Sequence, residues 1–220
     1  MKPGLKKIVV LGTLFFLPLF VYMFFASGKN NFARLPVLTS EVNELLDFNS
    51  TVDDPPQLKD QITILGFWGN NLAFKKAEAL NLNEKIYKRF YQFQDFQFVF
   101  LVEEGQQAAV DSLKYQLQTG AGTDLEKWHF LYGTPQQLEN QFNSLKTPYQ
   151  LNSNYSSPYV FIIDKNKALR GRTNDKDIDT LWGVNAQSVA QIHKKMVDDV
   201  KVILAEYRLA LKKYNADRSK

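Results

Sequence analysis

Apolar residues in this chain first run together, then alternate, then recur every three or four positions. Ile8 to Phe25, I-V-V-L-G-T-L-F-F-L-P-L-F-V-Y-M-F-F, is eighteen residues without a charge. That is the short end of what a bilayer-spanning helix needs, and more than a usual signal-peptide core. Lys2, Lys6 and Lys7 precede it, which favours a cytoplasmic N-terminus and puts the rest of the chain across the membrane. The exit Phe25-Ala26-Ser27-Gly28 has no A-x-A pattern, so residues 1–27 read as an uncleaved anchor, with contact to lipid through 8–25. Pro18 does not argue against spanning.

Residues 28–57 read as a polar tether. Within it a short helix is expected over Ser40–Phe48, where Ser40 and Glu44 stand near capping-box spacing, and Asp53-Asp54-Pro55-Pro56 closes it stiffly. The folded domain is expected over 58–215. Gln61 to Lys75, Q-I-T-I-L-G-F-W-G-N-N-L-A-F-K, passes from a buried strand through an aromatic pair into a helix. Asn71 is the expected N-cap, and Leu72, Ala79, Leu82, Ile86, Phe90 and Phe93 line one helix face.

A strand follows at Phe96–Val102 and a helix over Gln106–Gln118, with Val110, Leu113 and Leu117 on one side. Lys127–Tyr132 is the next strand. Thr134-Pro135 opens a helix carrying Leu138, Phe142 and Leu145. Tyr159–Asp164 is strand, and Lys165-Asn166-Lys167 turns into Ala168–Arg172. The last helix is expected from Asn185 to about Asn215, with Val189, Ile192, Met196, Val200, Ile203, Tyr207, Ala210 and Tyr214 stepping by three or four. Its final turns, with Lys212 and Lys213, are expected to be solvated, and 216–220 forms a basic tail. The alternation predicts an α/β fold: a central sheet with helices on both faces, preceded by one transmembrane helix.

Composition removes several chemistries. There is no cysteine, which excludes disulfides, thiol redox, iron–sulfur ligation and cysteine–zinc sites. The net charge of +4 comes largely from lysines and arginines at the two ends, so no nucleic-acid footprint is read. His129 and His193, with Met196, are read as packed or surface residues rather than a copper site. Asp175-x-Asp177-x-Asp179 fails as a calcium loop because Thr180 and Ala186 replace the glycine and glutamate that loop needs. A loop capping the following helix is expected there instead.

Gly120-x-Gly122 lacks the lysine of a phosphate loop. Asn49-Ser50-Thr51 and Asn154-Tyr155-Ser156 match the glycosylation sequon, which matters only on a eukaryotic secretory route. Glu103-Glu104 read as a solvated strand end. No serine–histidine–acid or paired-carboxylate set is apparent, so no enzyme, metal or cofactor is expected.

The anchor, I-T-I-L-G-F-W-G entering a helix, K-W-H-F-L-Y-G-T-P-Q-Q-L-E at Lys127–Glu139, and Ser157-Pro158-Tyr159-Val160-Phe161-Ile162-Ile163-Asp164 followed by Leu169-Arg170-Gly171 together resemble the Sco/SenC branch of the thioredoxin-like superfamily. The resemblance covers roughly Phe32 to Tyr207. It implies a domain on the outer, periplasmic or equivalent side of an energy-transducing membrane. It also implies respiratory (cytochrome oxidase) or cell-envelope biogenesis, with the oxidase or a cysteine-bearing Sco-like protein as partner.

Such proteins hold copper through a C-x-x-x-C pair and a histidine. Aligned on Gly66-Phe67-Trp68, the cysteines fall near Asn70 or Asn71 and near Phe74 or Lys75, and the histidine near Ser156. None of these supplies a thiolate or imidazole, so the copper function does not carry over. Pro158 stands where the superfamily places a cis proline; the sequence admits either isomer.

Trp68, Asn70, Asn71, Phe74, Lys75, Ser156 and Pro158 are the candidate recognition surface. Aromatics supply contact area and asparagines adaptable hydrogen bonds. The competing reading is that Trp68 and Phe74 fill the core. A thiol-independent enzyme using Lys75, Glu103 or Glu104, and a scaffold using the last helix, are the alternatives.

Overall fold

The computed structural model describes residues 3–26 and 34–218, with side chains over 4–25 and 34–210. The chain divides into two compact units, 1–33 and 34–220. The first is helix α1 (Pro3–Ala26), in which Gly4–Phe25 is long and apolar enough to cross a membrane. Its 22 residues at about 1.5 Å each span about 33 Å, close to a bilayer's hydrocarbon thickness.

The second unit is built on strands β1 (Val37–Thr39), β2 (Asn49–Ser50), β3 (Ile62–Gly69), β4 (Phe96–Glu103), β5 (Trp128–Gly133), β6 (Tyr159–Ile163) and β7 (Leu169–Arg170). They lie in the order β1-β7-β6-β3-β4-β5-β2. β3, β4 and β5 are mutually parallel, whereas β6 runs antiparallel to β3 and β7 to β6. A small hairpin, β8 (Arg172–Asp175) with β9 (Asp179–Leu181), follows, and β10 (Val184–Asn185) pairs with β6.

Period-two alternation within these strands sends side chains to two cores. Ile62, Ile64, Trp68, Phe98, Phe100, Trp128 and Phe130 face one side. There they meet α2 (Lys76–Leu82) and α3 (Lys88–Phe90), joined by a π-turn at Asn83–Tyr87, together with α4 (Gln107–Ala121). The helix that runs from α6 (Val189–Gln191) through a second π-turn into α7 (Val197–Arg218) completes that side. Leu65, Phe67, Val99, Leu101, Leu131 and Phe161 face the other side, under α5 (Pro135–Ser144). The thioredoxin-like fold with helices on both faces is therefore present. α5 starts as its sequence predicts, with Thr134 and Gln137 forming a capping box and Pro135 in the first turn.

Several expectations are corrected. No helix forms over 40–48. Val42, Leu45 and Phe48, whose spacing imitates a helix, each drop onto the second core, and the Glu44 carboxylate accepts the backbone N–H groups of Leu58 (2.6 Å) and Lys59 (3.1 Å). Residues 34–57 of the expected tether thus belong to the fold, with β1 and β2 on the sheet's outer edges. The remainder of that expected tether, 28–33, lies outside the described residues.

Asn71 makes no side-chain cap; a 3₁₀ turn at Leu72–Phe74 precedes α2. Phe93 lies beyond α3, 39% exposed. Asp175 to Asp179 closes the β8–β9 hairpin, and Ser188 caps the last helix, because Asn185 is held in β10. That helix runs to Arg218. The side chains of Tyr214, Lys212 and Lys213 lie outside those described, as do residues 219 and 220 of the expected tail.

α7 is held to the sheet by buried charge. Arg170 donates to Asp164 (2.7 Å), Glu206 (2.6 Å) and the Leu35 carbonyl (2.7 Å). Lys195 meets Asp175 (2.6 Å), and Arg172 meets Asp199 (2.8 Å). Burial outweighs the Arg172 guanidinium and lifts the Asp199 carboxyl to about 6. Burial alone would raise Asp175 too, but Lys195 and Arg172 hold it below its usual value. The native state therefore binds a proton at Asp199 that the unfolded chain has released. Unfolding free energy is expected to fall as pH rises from about 4 to about 6, by at most about 1.4 kcal/mol per pH unit, and to level off above. Asp199→Asn should flatten that slope in denaturant titrations; an unchanged slope would assign it elsewhere.

Candidate functional site

The turn that leaves β3 is clamped to the loop before β6. Gly69 has φ +51°, and a Cβ there would overlap the Asn154 carbonyl, which accepts the Asn70 N–H at 3.1 Å. Asn71 N–H donates to Trp68 O, Phe74 N–H to Asn71 O and Lys75 N–H to Leu72 O, which winds 70–75 tightly. This coil turns Lys75 inward, leaving it 3% exposed.

Its ammonium lies 2.9 and 2.8 Å from the two carboxylate oxygens of Glu78 and 3.1 Å from Ser157 O. Glu78, 2% exposed, also accepts from Gln187 Nε2 at 3.0 Å. Ser157 N–H in turn donates to Phe67 O at 2.8 Å. One ion pair thus joins the turn, the loop before β6 and the segment before α6. With its donors engaged, Lys75 is a tie rather than a free amine.

The seven candidate residues separate into two layers. Trp68 is fully buried and stacked on Phe100, ring centroids 3.8 Å apart, and the Phe100 ring fits over Gly66, where a Cβ would collide with it. Ser156 is 1% exposed. Trp68, Lys75 and Ser156 are therefore not a surface: the first fills the core and the second closes the turn. Phe74 is 78% exposed, which excludes it from the core. Asn70 is exposed, and Asn71 and Pro158 are half-buried. There is no cis peptide bond among the described residues, so Pro158 is trans.

Glu78 and Gln187 escaped the sequence reading. Lys75 and Glu78 stand three apart at a helix start, which puts them on one side, but their burial has no sequence signature. His129 is half-buried inside β5, its pKa lowered by burial and by Lys114. His193 is exposed. Glu104 accepts from Asn49 Nδ2 at 3.1 Å at the β2 edge. Among the described residues no three histidine or carboxylate groups converge as a metal site.

No protein-family model matches this sequence, and no curated protein matches it. Solved structures do. BsSco, a member of the Sco family of cytochrome c oxidase assembly proteins with a disulfide switch, is similar at a TM-score of 0.54 and 12% identity over 76% of this chain and 95% of that one. The soluble domain of Sco1 from Bacillus subtilis (TM-score 0.45, 13% identity, 76% of this chain and 94% of that one) and yeast Sco1 (0.45, 14%, 74% and 98%) also match. At such identity the likeness to BsSco is one of fold.

Proposed function

We propose that this is a membrane-anchored, thioredoxin-fold protein whose turn after β3 binds a partner protein and performs no catalysis. Its N-terminus is cytoplasmic and its domain periplasmic or in an equivalent space. The observation that carries this reading is the division of the turn. Its interior is occupied by the Lys75–Glu78 pair, while Phe74 projects into solvent from the same coil. A large aromatic side chain left in water is the kind of residue that interfaces take up.

The fold shared with BsSco, from a family of cytochrome c oxidase assembly proteins, supports respiratory or cell-envelope assembly as the process and the oxidase, or a cysteine-bearing protein of this fold, as the partner.

The test is capture of the tagged full-length protein from gently solubilised native membranes, wild type beside Phe74→Asp. Oxidase subunits or a cysteine-bearing thioredoxin-fold protein should travel with the wild type and fall at least about tenfold with the variant, a loss of about 1.4 kcal/mol. Thermal unfolding of Phe74→Asp should stay within about 2 °C of wild type, because the side chain packs on little. Equal capture by both proteins would remove the turn from the interface.

A further inference from the structure

We infer that the end of the domain around Phe93 and α7 is a second membrane contact, one that takes anionic phospholipid headgroups. It rests on the anchoring proposed above. Phe93 and Tyr91, each 39% exposed, stand at this end. Phe93, Leu204 and Arg208 wall two adjoining grooves of about 260 and 160 Å³. Exposed aromatics beside cations are what an interfacial surface presents to lipid.

The charge is of the right sign. Arg89 and Arg208 are exposed and have no ion-pair partner among the described residues, whereas the nearby carboxylates of Asp95, Glu206 and Asp198 are taken by Lys165, Arg170 and Lys201. From Arg208 onward the sequence holds five cations, Arg208, Lys212, Lys213, Arg218 and Lys220, against Asp217 alone.

The link to α1 is short in sequence. One guanidinium, that of Arg170, binds both the Leu35 carbonyl and the Glu206 carboxylate, so the chain arriving from α1 reaches the fold beside the root of the basic stretch. Seven residues separate Ala26 from Arg34, and an extended chain over those eight steps reaches no further than about 29 Å. Asp95, on the wall of the larger groove, is bonded through its carbonyl to Ile62 N–H, the first residue of β3. Gly69 ends that strand seven residues on, about 23 Å away. Lipid contact here would turn Phe74 away from the bilayer.

Because the chain has no cysteine, single thiols can be introduced into the full-length protein and labelled with nitroxide. Gln92→Cys reports this surface, Ala73→Cys the turn and Phe16→Cys the anchor. In vesicles with roughly a third phosphatidylglycerol, the Gln92 label should collide with an aqueous nickel chelate at least about threefold less often than the Ala73 label. The difference should vanish in pure phosphatidylcholine, and with Arg89→Glu/Arg208→Glu. Equal collision rates at 92 and 73, with the Phe16 label in hydrocarbon, would overturn the inference alone. Protection that ignores both lipid charge and the charge reversals would overturn its anionic assignment. A Phe16 label in water would overturn the anchoring, and the inference with it.

Discussion

Lys75→Met is expected to lower the domain's stability by about 3–5 kcal/mol, because it leaves the Glu78 carboxylate buried without its countercharge. For a domain of this size that is a fall of about 6–20 °C in the unfolding midpoint. Glu78→Leu should cost a similar amount, by stranding the ammonium. The double variant should recover most of either loss, since two apolar side chains need no countercharge. It should not recover all of it, because Ser157 O and the Gln187 amide lose the partners that they have at 3.1 and 3.0 Å. Denaturant titration of the four proteins closes a double-mutant cycle. Single variants within about 1 kcal/mol of wild type would show that the pair does not hold the turn.

Trp68→Ala should be as damaging, about 3–5 kcal/mol, through the cavity that it opens. The indole is fully buried, lies 3.8 Å from Phe100, and has Trp128 and Phe130 at 6.4 and 5.8 Å. Trp68→Phe should cost less than half as much. Its ring retains the aromatic contacts, and no hydrogen bond is lost, because Nε1 has no partner among the described residues. Guanidinium unfolding curves separate the two variants. A cost for Trp68→Ala below about 1 kcal/mol would contradict its placement as core.

Together these variants probe the inner layer of the turn, while Phe74→Asp probes the outer one. A partner that needs Phe74 should be lost without a change in stability. Loss of the Lys75 tie should instead weaken both stability and binding, since the ion pair fixes the coil on which Phe74 stands. The distinction follows from burial: a solvated side chain has few native contacts to lose, and a buried charge has all of them.

Local sequence carried much of this architecture. Period-two runs at Ile62–Gly69 and Phe96–Glu103, the Thr134-Pro135 helix start and the three-to-four stripe of α7 appear where their patterns place them. Each depends on neighbours within one or two turns. The cysteine-free composition settled the absence of thiol chemistry without any structure. Long-range pairing was not legible. Val42, Leu45 and Phe48 have helical spacing, yet they reach the second core through a loop and a turn, with Glu44 between them tied to Leu58 and Lys59, and Asn185 has a helix-like register but is claimed by β6.

The same holds for the turn. Trp68, Phe74 and Lys75 lie close together where β3 passes into the turn, and nothing in their spacing tells which is core, which is surface and which is paired. That assignment depends on Phe100 under the indole, on Ser157 and Gln187 around the Lys75–Glu78 pair, and on nothing covering Phe74. Those partners lie between 32 and 109 positions along the chain from the residues they meet. Burial of a charge is a property of what folds over it, and the chain folds over Lys75 from three separate segments.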